Sequence, residues 1–148
     1  SKAGRKLGDL HINYESVPPH PDVIVSGENS NNFTVTKMRY PKIDGEVRGK
    51  KKKVDDKSTI IYNSKITITN IPEKAYDYVV NGKSAIEWII DRYQVKVDKK
   101  SGIKNDPNDW AKEVGNPRYI LDLLLSVINV SVQTVDIVEG LPGMEFDK

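Results

Sequence analysis

Gly82-Lys83-Ser84, inside "YDYVVNGKSAIEWIIDRY", are the closing residues of a phosphate-binding P-loop, in which backbone amides wrap phosphates and the lysine reaches them. The complete motif places a second glycine five positions before Gly82, where this chain has Asp77. A carboxylate there repels phosphate, so ATP hydrolysis is not expected from this triplet. A local role fits better. Ser84-Ala-Ile-Glu87 is a capping box, with Ser84 accepting from the amide of residue 87 and Glu87 reaching back to residue 84. Lys83 beside such a helix start either positions one nucleic-acid phosphate or is a solvated surface charge.

Other partial motifs fail in the same way. "NPRY", Asn116 to Tyr119, has arginine where adenine-amino methyltransferases carry a second proline to hold a flipped base. Pro117 therefore reads as the first-turn residue of a long helix, with Asn116 as its cap and Arg118 just inside, again able to face a phosphate. Asp22 with Asp55, Asp56 and Lys57 gives only a loose outline of a metal-dependent nuclease. No Ser, His and Asp are placed for acyl transfer, and with two histidines and no cysteine no metal site is expected.

The elements that position these residues divide the chain. "DVIVSG", "FTVTKMRY" and the hairpin "STIIYNSKITITN", with Ile66 and Ile68 on one face, are β-type. After Pro72, "EKAYDYVVNG" predicts a helix that stops at Gly82. A second helix follows through Ile86, Ile89, Ile90 and Tyr93, and a short third one starts near Pro107. From Pro117, Ile120, Leu121, Leu124, Val127, Ile128, Val135 and Val138 form a helical stripe, although Ile128, Val130 and Val132 also alternate as a strand would. Helix is expected throughout, to Gly140-Leu-Pro. The fold class is therefore α+β: a β-rich N-terminal half with a hairpin, a helical C-terminal half, one domain over 1–148.

Net charge is only +2, so a nucleic-acid role must rest on where the cations sit. "RGKKKKVDDK" from Arg48 is strongly basic, and 46–57 is expected to be a mobile basic loop. Lys37, Arg39 and Lys42, with Tyr40, cluster around a predicted strand end. Lys99, Lys100, Ser101, Lys104 and Asn105 lie in a polar loop with the donors and acceptors that read base edges. Trp88 and Trp110 are expected in or near the core. No apolar run is expected to reach membrane-spanning length, so no membrane partner is expected. The start "SKAGRKLGD" has neither methionine nor a secretory pattern, which suggests a cytoplasmic piece of a longer protein.

"KLGDLHINYE", the stretch from "DKSTIIYNSKITITN" through "VNGKSAIEWIIDRYQVKVDKKSGIKNDPNDW", and "NPRYILDLLLSVINVSVQTVDIVEGLP" together resemble the C-terminal specificity domain of type ISP restriction-modification enzymes. The resemblance runs from about Lys6 to Pro142. It implies a target recognition domain that reads double-stranded DNA within a chain also carrying a nuclease, a helicase-like ATPase and an adenine-N6 methyltransferase. ATP, Mg and S-adenosylmethionine would serve those domains, and the present chain would carry no catalytic residue and no cofactor. The run from Gly45 to Asp56 matches no motif of that family. The alternative is a domain that docks on the motor or methyltransferase domains without touching DNA.

Overall fold

The computed structural model describes residues 17–140, so "KLGDLHINYE" and the tail from Leu141 lie outside the described residues. The fold is mixed α+β, with small antiparallel sheets in the first part and a long helix at the end.

That helix, α3 (Tyr119–Glu139), organises the rest. Every residue from Leu123 to Val132 is buried, a run too long for a helix with one covered face, so this central part of α3 is surrounded on all sides. Its apolar character has no single stripe for the same reason, which explains the strand-like alternation of Ile128, Val130 and Val132. The polar residues in the run are all satisfied by backbone carbonyls. Ser126 Oγ donates to the Val17 carbonyl at 2.6 Å, Asn129 Nδ2 to that of Pro18 at 2.8 Å, and Ser131 Oγ to that of Val127 at 2.7 Å. Contrary to expectation, α3 is long and apolar enough to span a membrane by length and composition, and 72% of its most apolar 18-residue stretch is buried inside the fold.

Around α3 pack helix α1 (Ala85–Arg92), a 3-10 turn at Glu73–Asp77 and the short α2 (Pro107–Glu113). The same core receives Ile60 and Ile68 from a three-stranded antiparallel sheet and Ile66 from the turn that leads into it. In that sheet β5 (Thr67–Thr69) lies between β1 (Ile24–Ser26) and β4 (Ile60–Ile61). The predicted hairpin is present, with Ile60 opposite Ile68, and alternation sends Ile66 and Ile68 inward while Thr67 and Thr69 stay half-exposed.

Several expectations need correction. The helix predicted after Pro72 is only the 3-10 turn, followed by a tight hairpin of β6 (Val79–Val80) and β7 (Lys83–Ser84). Asn81 and Gly82 have φ of 51° and 91°, the positive pair that a two-residue turn matching strand twist requires, so Gly82 turns a hairpin and caps no helix. The basic segment 46–57 is not a loop. Most of it belongs to a second ribbon, β2 (Lys42–Val47) with β3 (Lys50–Asp55), turned by Arg48 and Gly49 at φ of 54° and 78°.

"FTVTKMRY" forms no strand beyond a bridge from Arg39 to Ile61, because side-chain amides take its backbone groups. Asn108 accepts from Val35 N at 2.8 Å and donates to Val35 O at 2.7 Å, and Asn63 Nδ2 donates to the carbonyls of Asn32 and Thr34. Asn116 lies two residues before the cap position Arg118, and its side chain accepts from Arg118 N at 3.0 Å, so it forms a turn ahead of α3.

Gly27 and Gly49 separate two costs of replacing glycine. Both have positive φ, but a Cβ on Gly27 would meet the Lys65 carbonyl oxygen at 1.8 Å, whereas one on Gly49 meets nothing within 4 Å. Gly49→Ala should cost about 1 kcal/mol in urea unfolding, the conformational cost alone. Gly27→Ala should cost more than about 2 kcal/mol, because backbone must move. Equal losses would show that the Gly27 turn is not held against Lys65.

Candidate nucleic-acid interface

The expected capping box is present: Glu87 N donates to Ser84 Oγ at 3.1 Å and Ser84 N to Glu87 Oε1 at 3.4 Å. It fixes the start of α1 immediately after Lys83. The Lys83 ammonium does not stand free at that start; it pairs with Asp91 two turns further along and lies 4.6 Å from the centre of the Trp88 ring. Trp88 is half-buried and donates from its indole nitrogen to the Val80 carbonyl. Lys83 is therefore part of a clasp that ties the β6–β7 hairpin to α1.

Asp91 gathers cations from two further segments. The hydrogen bond from Lys83 holds its carboxyl below the usual carboxylate range, partial burial opposes this, and the charges of Lys83, Lys96 and Lys37 reinforce it. Lys37 and Lys96 come together because Val95 N donates to the Thr36 carbonyl at 2.7 Å. One of the two predicted basic clusters, around residue 37, is thereby joined to the chain that leads into the other.

The second cluster is a hairpin, not an irregular loop: β8 (Lys96–Val97) pairs with β9 (Lys104–Asn105). Its tip is organised by Asp98, which accepts from Lys100 N at 2.9 Å, and by Ser101 Oγ, which accepts from Ile103 N at 3.2 Å. The backbone hydrogen bond from Lys100 is the main cause that lowers the Asp98 pKa. Lys99 and Lys100 are exposed on this tip, while Lys104 has Asp106 4.0 Å away. Asp106 also caps α2, accepting from Asn108 N at 2.9 Å, so the end of the hairpin and the start of α2 are fixed together.

Between the C-terminal end of α1, this hairpin, α2 and α3 opens a cavity of about 550 Å³. Arg92, Gln94, Lys96 and Asn105 supply polar groups to it, and Tyr93, Trp110 and Tyr119 supply aromatic walls. Trp110 is a correction to the expected core placement: it is 47% exposed, with its ring edge-to-face to Tyr119 at 6.3 Å. Sequence reasoning also missed Lys96, Arg92 and Gln94, which fall between the predicted helix and loop. The signal was available in "RYQVK", where polar and apolar residues alternate after the helix should have ended.

The remaining candidates divide by what already holds them. Arg118 reaches Glu28 at 2.7 Å and Asp122 at 3.2 Å and lies 5.0 Å from the Phe33 ring centre, clasping the start of α3 to the Glu28–Ser30 turn. Partial burial works against its charge, but the two carboxylates outweigh it and raise the pKa. Lys42 pairs with Asp55 at 2.6 Å. Arg39 is pinned through its backbone to Ile61, with its side chain exposed. Among the described residues no group of three or more metal-ligating side chains comes together. Asp56 is occupied by Ser58, whose hydroxyl donates to it at 2.6 Å.

Comparison with known proteins gives this geometry its context. Residues 1–123 match the family model described as the Type ISP C-terminal specificity domain. A nuclease-deletion mutant of the Type ISP restriction-modification enzyme LlaGI, solved in complex with a DNA substrate mimic, is 51% identical over 98% of this chain, with a TM-score of 0.74. The ATP-dependent Type ISP restriction-modification enzyme LlaBIII bound to DNA is 50% identical over 97%, with a TM-score of 0.75. The chain spans only 12% and 8% of those two longer chains. DrdV, from a DrdV–DNA complex, is 23% identical over 97% of this chain and 14% of its own, with a TM-score of 0.62, and shares the fold. No curated protein matches.

Two measurements test the clasps. Arg118→Ala should destabilise the fold by about 1 kcal/mol in urea unfolding, the scale of a surface ion-pair network. Asp91 has its pKa lowered on folding, so its contribution is complete above the unfolded value of about 4 and is lost as pH falls through the lower folded value. Asp91→Asn should therefore lose less stability than wild type on acidification from about pH 5 to about pH 2. Identical acid limbs would remove Asp91 from the account.

Proposed function

This chain belongs to the Type ISP C-terminal specificity domain family, and we propose that it reads the DNA target of a longer restriction-modification enzyme that carries it. The reading rests on the near-complete overlap, at half identity, with Type ISP enzymes whose structures contain DNA. In the proposed mechanism the β8–β9 hairpin and the mouth of the α1–α2 cavity meet the duplex. Lys99 and Lys100 on the tip hold phosphates, where contacts position without specifying. Asn105 and Gln94, whose amides can form paired hydrogen bonds with adenine, are the base-reading groups. Lys37 and Lys96 add positive potential beside them, reduced by Asp91.

Catalysis would lie elsewhere in the longer chain. A nuclease and an ATP-driven, Mg-dependent motor would cut and move along DNA, and a methyltransferase would consume S-adenosylmethionine. Those domains are the expected protein partners of this one, and the bacterial cytoplasm is its expected compartment.

Exchange of this chain for the matching segment of LlaGI, followed by mapping of the methylated bases, tests the proposal directly. The methylated sequence should change to a new target. An active hybrid with the original target would overturn it. At finer scale, Lys99→Gln with Lys100→Gln should weaken binding about equally on all duplexes and reduce the salt slope by about two. Asn105→Ala should relax preference at one base position, by about 1–3 kcal/mol of discrimination.

A further inference from the structure

The β2–β3 ribbon takes no part in the interface described above, and its cations are divided unequally between its two faces. Directly paired residues of an antiparallel ribbon share a face, and the register assigns every residue. On one face Lys42 opposes Asp55, Asp44 opposes Lys53 and Glu46 opposes Lys51, so each cation has a carboxylate across from it. Lys42–Asp55 and Lys53–Asp44 are formed ion pairs. That face carries no net charge.

The other face holds Ile43 with Val54, Gly45 with Lys52, and Val47 with Lys50. It contains two lysines and no carboxylate, and Arg48 adds a third cation at the turn. Among the described residues nothing covers it: ten of the twelve ribbon residues are exposed, all but Gly45 and Val54, and Ile43 and Val47 remain 45% and 41% accessible. Gly45 keeps the centre low, since a Cβ there would meet Val54 Cγ2 at 2.6 Å. The result is an apolar strip along β2 with the Lys50 and Lys52 ammonium groups beside it along β3.

We propose that this second face is a DNA-contacting arm, with Lys50, Lys52 and Arg48 on phosphates and Ile43 and Val47 toward the groove. Charge complementarity selects the occupant. An acidic polymer matches a face whose charges are all positive, and the opposite face, with its charges cancelled, is suited to solvent. The dimensions agree. Two strands of six residues form an arm about 20 Å long, and a two-stranded ribbon fits a major groove about 12 Å wide. The inference rests on the DNA-reading function proposed above and adds a second, separate contact surface to it.

The two faces provide their own control, because equal numbers of lysines can be neutralised on either side of one strand. Binding of the 148-residue chain to a fluorescent mixed-sequence duplex is followed across a salt series for wild type, Lys50→Gln/Lys52→Gln and Lys51→Gln/Lys53→Gln. Both double variants change net charge by the same amount. The first should flatten the salt dependence by about two and weaken binding at least tenfold at moderate salt; the second should keep the wild-type slope within about one half. Equal effects from both variants would reduce the ribbon to a diffuse charge and overturn the assignment. So would wild-type binding by the first variant, which would leave the DNA-reading proposal intact and point to a protein partner for the strip. A wild-type chain that binds no duplex even at low salt would overturn both.

Discussion

Burial of the central part of α3, Leu123 to Val132, on every side is the constraint on which the other elements depend. A helix apolar on all sides cannot be covered by one sheet or one partner helix, so the chain must supply cover from several directions. The three-stranded sheet, the 3-10 turn, α1 and α2 are all short, and each hides a part of α3 that the others leave bare. Burial of each Ile or Leu side chain contributes about 1.5–3 kcal/mol, far more than the surface ion pairs can. Polar links then fix position rather than supply stability. Ser126 and Asn129 anchor residues 17 and 18, Arg118 clasps the helix start, and Lys74 reaches Asp136 at 2.5 Å near its end.

This division leaves the β2–β3 ribbon and the β8–β9 hairpin with almost no share of the core. Their exposed positions can therefore hold charge without a desolvation cost, and the cations differ mainly in how they are compensated. Lys83, Lys42, Lys53 and Arg118 are matched by carboxylates within the fold. Lys37 and Lys96 share the field of Asp91. Lys50 and Lys52 oppose Val47 and Gly45 across the ribbon, and Lys99 and Lys100 stand exposed on the β8–β9 tip. A net charge of +2 conceals this local pattern, because a phosphate within a few ångströms responds to the nearest charges, screened over about a Debye length.

What was legible in the sequence follows the same division. Elements fixed by local chemistry could be read: the capping box at Ser84, Pro107 opening α2, the Ile66 and Ile68 face, and the length of α3. Errors arose where long-range partners decide. Asn81-Gly82 is compatible with a helix end or a tight turn, and only the pairing of Val79 with Ser84 selects the hairpin. Val35 looks like a strand residue but receives its partner from Asn108, 73 positions away, a bond invisible to any local pattern. The four lysines at 50–53 suggested a solvated loop, whereas cross-strand carboxylates at Asp44 and Glu46 make a paired strand tolerable by cancelling alternate charges.

The same separation of core from projections bears on how a domain with the proposed role would change its target. A substitution at Asn105, Lys99 or Lys52 alters an exposed side chain on a hairpin, and surface changes of that kind usually shift stability by less than about 0.5 kcal/mol. A substitution in α3 leaves a cavity that costs several times as much. Under the proposed DNA-reading role, contacts with a duplex could therefore diverge while the burial pattern around α3 stays fixed. Lys83 and Arg118 stand between these classes: although charged and near helix starts, they fix the position of the elements they join, and their loss would shift the platform from which the hairpins project more than it would lower stability.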